Sequence, residues 1–162
     1  MIQYRRGKTE DLENIVTFID SYLTDYFMSK AKVNTILTGG DGSNRWSAVP
    51  SQVFLALDEE KIVGLVFMSN KNVLWNILVH PEYRGKDIGK ELINMSNPQK
   101  IRCKWNMSSG DPTAFYEKLG YGKVGEPVLG GDGNYGKKTK TKSIQIMIKG
   151  GTILPLIMEE DE

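Results

Sequence analysis

A segment near the middle of the chain has residue types and spacings that suit the binding of an anion. Residues 74–79 form an apolar run, Pro81 follows, and apolar residues resume at helical spacing with Ile88, Leu92 and Met95 on one face. This pattern predicts a strand, a tight glycine-containing turn and a helix start. Helix starts leave backbone N–H groups without acceptors and carry positive potential, so we predict a phosphate or pyrophosphate site at this turn.

The turn carries neither of the two commonest phosphate-binding sequences. The chain has no GxxxxGK[ST] run and no GxGxxG fingerprint. Its own pattern is Val79-x-Pro81-x-x-Arg84-Gly85-x-x-Ile88-Gly89-x-x-Leu92. This pattern resembles motif A of the GCN5-related N-acetyltransferases (GNAT), the segment that cradles the pyrophosphate of acetyl-coenzyme A (acetyl-CoA) in that family.

A second segment, about 30 residues further on, resembles motif B of the same family. The family motif is usually written A-x-x-F-Y-x-K-x-G-F, and the matching run is Thr113-Ala114-Phe115-Tyr116-Glu117-Lys118-Leu119-Gly120-Tyr121. The opening of the chain, Ile2-x-x-Arg5-Arg6-x-x-x-x-Glu10-Asp11-Leu12, also resembles the usual start of a GNAT protein. The resemblance covers roughly residues 1–150.

The resemblance implies acetyl-CoA as the cosubstrate. The cofactor-binding residues that it implies are Leu78, Val79, Arg84, Gly85, Lys86, Asp87, Ile88, Gly89 and Lys90. Two positions depart from the family pattern: Asp87 stands where a glycine is usual, and Ser109 stands where motif B often has an asparagine that meets the coenzyme. A carboxylate at Asp87 would repel a nearby phosphate by about 1 kcal/mol in a solvated site.

Acyl transfer to an amine needs a donor for the oxyanion, an acid for the leaving thiolate and a route for the amine's proton. The resemblance assigns the first task to the backbone around Leu78 and Val79, and the second to Tyr116. A phenol with a pKa near 10 is protonated at neutral pH and can protonate a departing thiolate. The structural alternative is that Tyr116 is a buried helix aromatic with a satisfied hydroxyl.

No general base is evident. Lys104 stands at about the position where some family members have a glutamate, and the weaker candidates, which equally suit caps or the surface, are Glu82, Asp111 and Glu126. An amine with a pKa near 10.4 costs about 4.6 kcal/mol to deprotonate at pH 7, whereas an α-amine near pKa 8 costs about 1.4 kcal/mol. Either water relays the proton, or the acceptor is a less basic amine.

Other candidate residues lie outside the two motifs. The loop 38–52 flanks the acceptor site in the family, so Arg45 and Trp46 are candidate acceptor contacts, and a surface loop pinned by its tryptophan is the alternative. His80 and Cys103 are the sole histidine and cysteine, which are too few ligands for a metal site, and we predict no metal. Nothing local orients them as a nucleophilic pair.

The composition predicts one ordinary globular domain. With 162 residues, 40% apolar and a net charge of +1, the chain has no general attraction to nucleic acid or membranes. No apolar run approaches the ~18 residues of a membrane span, so we expect a cytoplasmic protein. We assign residues 1–150 to the domain and 151–162 to an extension with an acidic tail. The basic run 137–142 is either solvated or a contact for nucleic acid. A homodimer is compatible with this sequence.

The hydrophobic pattern also predicts the order of the elements. The first half contains a strand over 1–6, a helix from Glu10 to Lys30 with Thr9 as N-cap, a hairpin of 53–57 and 62–68, and a strand over 73–79. The helix of motif A follows, and then a strand over 101–105 and a helix with Asp111 as N-cap and Pro112 as its first residue. The last elements are an irregular segment 122–136 and a strand over 143–148. The fold class predicted is α/β (α+β), a GNAT-like mixed and mostly antiparallel sheet of six to seven strands with helices on both faces.

Three hypotheses about function follow. The first is an acetyl-CoA-dependent N-acetyltransferase in which a primary amine attacks the thioester directly and Tyr116 is the general acid. The second is a degenerate member that binds an acyl-CoA or a protein partner without turnover, as Asp87, Ser109 and the missing base suggest. The third is a toxin-like enzyme that acetylates aminoacyl-tRNA, which suits the basic run and a substrate amine of low pKa.

Overall fold

The computed structural model describes residues 1–22, 28–39, 52–69, 71–104, 112–131 and 140–150. The helices in these ranges are α1 (Leu12–Tyr22), α2 (Lys30–Thr38), α3 (Ile88–Ser96) and α4 (Thr113–Lys118). The strands are β1 (Ile2–Arg6), β2 (Val53–Asp58), β3 (Lys61–Met68), β4 (Val73–Val79), β5 (Lys100–Lys104), β6 (Tyr121–Gly131) and β7 (Lys140–Lys149). No helix within the described ranges is long and apolar enough to cross a membrane.

All the strands belong to one seven-stranded sheet in the order β1-β2-β3-β4-β5-β7-β6. Each neighbouring pair is antiparallel except β4 and β5, which are parallel. The predicted hairpin is present as β2 and β3, joined by a two-residue turn in which Glu59 has a φ of 59°. The predicted fold class, a mixed and mostly antiparallel sheet with helices on both faces, is confirmed.

Two hydrophobic cores lie on opposite faces of the sheet, because side chains alternate along each strand. One core joins α1 and α2 to a face that includes Leu65 and Leu78. The other joins α3 and α4 to a face that includes Val66 and Ile101, with Val79 packed against it. The end of β4 therefore contacts both layers of helices, through two adjacent residues.

The prediction of one helix from Glu10 to Lys30 is wrong. The first helix is Leu12–Tyr22, and a separate helix begins at Lys30. The hydroxyl of Ser29 caps this second helix by accepting the N–H of Lys32 at 3.1 Å, and Gly39, with a φ of 87°, ends it. Apolar periodicity alone did not distinguish one helix from two, whereas the serine cap marks the second start.

The prediction that Thr9 is the N-cap of the first helix is also wrong. A 3-10 turn at Thr9–Asp11 precedes α1, and Lys8 is its N-cap residue. The carboxylate of Asp11 accepts the N–H of Lys8 at 2.7 Å and both terminal guanidinium nitrogens of Arg5 at 2.8 and 2.9 Å. This buried carboxylate ties the end of β1 to the start of α1, so it sets the helix start in place of Thr9.

The buried face of α3 differs in part from the prediction. Ile88 and Leu92 are buried as predicted, but Met95 is 39% exposed. Ile93 and Ser96 are buried instead, and the hydroxyl of Ser96 donates to the carbonyl of Leu92 at 2.8 Å. A buried serine that satisfies its hydroxyl within the helix is not visible to a search for apolar residues.

Two further predictions, both in the C-terminal half of the domain, differ from the structure. Segment 122–136 was predicted to be irregular, but β6 occupies Tyr121–Gly131 and pairs with β7 with two register shifts. The long-range ladder outweighs the local preference of its glycines. Pro112 lies at the N-cap position of α4 and not at its first turn, and Gly120, with a φ of 97°, follows the helix as predicted. Asp111 lies outside the described residues.

Candidate functional site

The two parallel strands β4 and β5 pair at one end only. Their register joins Val73 to Lys100 and Leu74 to Ile101, and the described residues show no later pair. Beyond this point β4 remains bound to β3 and β5 remains bound to β7, each to the end of the strand. The two strands therefore separate, and we call the opening between them the β4–β5 gap.

Alternate residues of β4 direct their backbone N–H and C=O groups toward this gap. The N–H of His80 donates to the carbonyl of Val63 at 2.8 Å, so His80 directs its backbone toward β3. By the alternation of an antiparallel ladder, Leu78 also faces β3, whereas Ile77 and Val79 face the gap. Of the two residues predicted to bind through their backbone, Val79 is the one whose N–H is available there.

A glycine turn links β4 to α3 beside the gap. A 3-10 turn at Pro81–Tyr83 is followed by Gly85, with a φ of 80°, and by Asp87, with a φ of 64°. Asp87 is exposed, is the N-cap residue of α3 and makes no capping hydrogen bond with its side chain. A left-handed residue is needed here, which explains why the family pattern has glycine; aspartate is among the few other residues that tolerate it.

The turn leaves a row of backbone N–H groups without protein acceptors. The first helical bond of α3 runs from the N–H of Glu91 to the carbonyl of Asp87 at 3.0 Å. Within the part of the chain that the structure describes, no acceptor is found for the N–H groups from Gly85 to Lys90. A Cβ at Gly85 would meet no described atom within 4 Å. These groups, at a helix start and beside open space, suit a phosphate or diphosphate.

Three cationic side chains surround this row, and all are exposed: Arg84, Lys86 and Lys90. The Nε of Arg84 donates to the carbonyl of Val79 at 3.3 Å, which connects the turn to the gap. The Nζ of Lys86 lies 5.6 Å from the ring centroid of Tyr83. The carboxylates of Asp87 and Glu91 reduce the positive charge of the same area.

Close packing holds α3 against its neighbours through two glycines. A Cβ at Gly64 would lie 3.1 Å from side-chain carbons of Ile88 and Leu92 and 3.2 Å from the carbonyl of Leu78. A Cβ at Gly89 would lie 3.1 Å from the ring of Phe115. The start of α3 is thus in contact with both β3 and α4, so motifs A and B are adjacent in the fold.

Tyr116 of α4 is 96% buried, since its exposed fraction is 4%. It belongs to the core on the α3 and α4 face, together with Cys103, and its ring meets the ring of Phe115 edge-on at 5.2 Å between centroids. Burial raises the pKa of Tyr116 far above the usual value for tyrosine, and charge on Cys103 and on Tyr121 would raise it further. No described residue hydrogen-bonds to the Tyr116 hydroxyl, which stays protonated at neutral pH.

Other predicted residues are distributed as follows. Arg45, Trp46 and Ser109 lie outside the described residues. The base candidates Glu82 and Glu126 are exposed. The Nδ1 of His80 accepts the N–H of Glu82 at 3.1 Å, and the sulfur of Cys103 lies 3.6 Å from the Oγ1 of Thr113. The described ranges contain no group of three or more side chains able to hold a metal ion.

Sequence reasoning missed a contact that holds the turn. The hydroxyl of Tyr83 donates to the carboxylate of Asp58 at 2.6 Å, and the Nζ of Lys61 lies 5.6 Å from the Tyr83 ring centroid. Asp58 and Lys61 flank the turn between β2 and β3, and Tyr83 is 25 residues further along the chain than Asp58. The only local signal was a tyrosine beside the arginine and glycine of motif A.

Comparisons with known proteins agree with this geometry. A family model described as "Acetyltransferase (GNAT) domain" matches residues 50–123. The ribosomal-protein-S18-alanine N-acetyltransferase of Escherichia coli has 16% identity and a TM-score of 0.62 over 95% of this chain and 96% of its own. The PaiA N-acetyltransferase of Thermoplasma acidophilum, solved with coenzyme A, has 18% identity and a TM-score of 0.58 over 93% and 99%.

A third structure is the diaminobutyrate acetyltransferase EctA of Paenibacillus lautus, solved with L-2,4-diaminobutyric acid and coenzyme A, with 19% identity and a TM-score of 0.60 over 93% and 95%. A search of curated protein sequences found no significant match. The chain thus shares its fold with these acetyltransferases. The family match and the structural neighbours agree with the resemblance that the two motifs indicated.

Proposed function

We propose that this protein is an acetyl-CoA-dependent N-acetyltransferase that uses the β4–β5 gap as its active site. The observation that carries this proposal is the arrangement around the gap. The row of N–H groups from Gly85 to Lys90 lies at one side of the gap, and Val79 directs its backbone N–H into it. Tyr116, with its protonated hydroxyl, is buried on the α3 and α4 face of the sheet. The domain extent of 1–150, a cytoplasmic location and a homodimer stay predictions.

The site suits the shape and charge of the proposed cosubstrate. The diphosphate of acetyl-CoA would accept from the backbone amides of the turn and attract Arg84, Lys86 and Lys90. The pantetheine arm carries amides, which can pair with the backbone groups of Ile77 and Val79 as an added strand does. This places the thioester deep in the gap, near the end of β4.

Each chemical task of the reaction then has a group on this chain. The amine attacks the thioester carbonyl, and the N–H of Val79 is the proposed donor to the oxygen on which charge develops. The carbon–sulfur bond breaks, and Tyr116 passes its proton to the departing sulfur. Burial disfavours a thiolate and a tyrosinate alike, so the proton that Tyr116 gives up must be replaced, through water, by one that the attacking amine releases.

The proposed acceptor is a primary amine of low pKa. The two base candidates that the structure describes, Glu82 and Glu126, are exposed, so water is the proposed route for the proton. An α-amine suits this arrangement better than a lysine side chain, because less free energy is needed to deprotonate it. Arg45 and Trp46 remain proposed acceptor contacts, and a nucleic-acid-linked amine remains a hypothesis.

One observation favours a second candidate, an acyl-CoA-binding protein without turnover. Asp87 presents an exposed carboxylate at the point where the family has glycine and where a phosphate would bind. Its repulsion of the diphosphate would be about 1 kcal/mol, and the three cations nearby offset it. We therefore expect weakened binding and not loss of function.

A thiol-release assay with acetyl-CoA and a panel of amines tests the proposal. Tyr116→Phe should lower kcat by roughly a hundredfold or more while coenzyme binding persists. Tyr121→Phe is the matched control, because Tyr121 is a buried tyrosine of the same core whose hydroxyl donates to the carbonyl of Pro98 at 2.6 Å. If wild type binds the coenzyme but releases no thiol with any amine, the second candidate is correct.

A further inference from the structure

Cys103 lies on β5 two residues beyond its last pair with β4, so it borders the β4–β5 gap. It is the only cysteine in the chain and is 3% exposed. Its sulfur lies 3.6 Å from the Oγ1 of Thr113, the first residue of α4. The thiol is therefore held between the edge of the open sheet and the helix that carries the proposed general acid.

Tyr116 lies on the same side of α4 as Thr113, since residues three apart face the same way on a helix. Tyr116 and Cys103 belong to one buried cluster. Tyr116 is more than nine-tenths buried, and its hydroxyl has no hydrogen-bond partner among the described residues. A buried polar group of this kind calls for a partner, and in this position a ligand atom in the gap can supply it.

We propose that Cys103 is a site of covalent modification by coenzyme A, at which the bound product and this thiol form a mixed disulfide. The inference rests on the proposed function, which brings the coenzyme sulfur to Tyr116. Because Cys103 meets Thr113, one turn before Tyr116 on α4, a coenzyme sulfur that reaches the Tyr116 hydroxyl lies on the side of α4 that Cys103 faces. The gap that admits the pantetheine arm is also the route by which a ligand reaches this thiol.

The reaction requires a two-electron oxidant of thiols, and hydrogen peroxide is such an oxidant. Peroxide oxidises one thiol to a sulfenic acid and releases one water; the second thiol attacks the sulfenic sulfur, the S–S bond forms and a second water leaves. Two electrons pass from the two sulfurs to the peroxide. A thiol reductant reverses the step by exchange, restoring Cys103 and free coenzyme A.

Cys103 should react with coenzyme A in preference to other thiols, because the bound coenzyme lies close to its sulfur. A buried thiol in apolar surroundings forms thiolate poorly, so Cys103 should react slowly with thiols from bulk solvent. A coenzyme held in the gap has a far higher effective concentration at this sulfur. The adduct would fill the gap, so it would stop acetyl transfer until it is reduced.

Intact-mass measurement of the full chain tests this, because every thiol adduct must be on Cys103. With peroxide and coenzyme A we expect one adduct per chain, formed at least about tenfold faster than with peroxide and glutathione at the same concentration. Acetyl-CoA, whose sulfur is blocked, should suppress the adduct, and a reductant should remove it. Activity should fall with adduct formation and return on reduction.

The matched control moves the single thiol to the surface. Cys103→Ala combined with Ser21→Cys places it at an exposed position of α1, where coenzyme A and glutathione should react equally fast. Equal rates for wild type, or no coenzyme adduct although calorimetry detects coenzyme binding, would overturn this inference and leave the proposed function intact. Calorimetry that detects no binding overturns both.

Discussion

The hydroxyl of Tyr83, in the turn after β4, donates a 2.6 Å hydrogen bond to the carboxylate of Asp58 at the end of β2. The carboxylate raises the pKa of Tyr83, so the bond persists throughout the neutral range. The ring of Tyr83 also lies edge-on to the imidazole of His80, with 5.7 Å between ring centroids, and near the ammonium of Lys86. Tyr83 therefore connects the β2–β3 turn to the glycine turn, and we infer that it positions the latter.

Tyr83→Phe should raise the KM for acetyl-CoA about three- to tenfold and leave kcat nearly unchanged, because it removes one hydrogen bond to a charged group. Asp58→Asn keeps an acceptor oxygen and should have a smaller effect. Steady-state kinetics with acetyl-CoA as the varied substrate would measure both. A fall in kcat at constant KM would show that Tyr83 does not act through the turn.

Substitutions at Asp87 should separate charge from backbone strain. Asp87→Asn removes the charge but still tolerates a φ of 64°, and calorimetry should show coenzyme A binding about fivefold tighter. Asp87→Gly should bind at least as tightly and relieve the strained backbone. Asp87→Ala loses the charge but should destabilise the fold by about 1 kcal/mol. Equal affinity in all four proteins would mean that no phosphate lies near Asp87.

Gly64→Ala should lower the stability of the domain by about 1–3 kcal/mol, measured by urea unfolding. The new methyl would lie 3.2 Å from the backbone carbonyl of Leu78 as well as close to two side chains of α3, and the backbone cannot move aside easily. Gly89→Ala is the comparison, because its methyl would meet only the movable ring of Phe115 within 3.4 Å. A larger loss for Gly89→Ala would contradict this account.

The ionised carboxylate of Asp11 should stabilise the fold at neutral pH, and this stabilisation should be lost in acid. The hydrogen bonds from Arg5 lower the pKa of Asp11, and the backbone N–H of Lys8 lowers it further against the opposing effect of burial. A lowered folded-state pKa means that the stabilisation is complete above the unfolded value near 3.9 and is lost as the pH falls through the folded value. Asp11→Asn should lose about 1–2 kcal/mol at pH 7 and much less at pH 2, measured by denaturant unfolding at both pH values. An equal loss at both would contradict the ionic origin.

The segments that could be predicted from the sequence are those whose information is local. The strand, glycine turn and helix of motif A, and the short helix with Tyr116, depend on residues close together in the chain, so periodicity and glycine spacing were sufficient. The same local logic failed where a distant partner decides. β6 forms because β7 pairs with it, with Tyr121 opposite Lys149. The start of α1 depends on a nearer partner that periodicity does not reveal, the pairing of Asp11 with Arg5 at the end of β1.

The sequence by itself thus determined the resemblance to the GNAT family, the two motifs and most of the element order. Only the tertiary structure decided that β4 and β5 separate after two residue pairs, because each strand takes its other partner, β3 or β7, from a different part of the chain. It also decided that Val79 faces the gap, that Asp87 adopts a left-handed backbone and that Cys103 meets Thr113 of α4. These relationships come from long-range pairing and packing, whose free energy is shared among residues far apart in sequence.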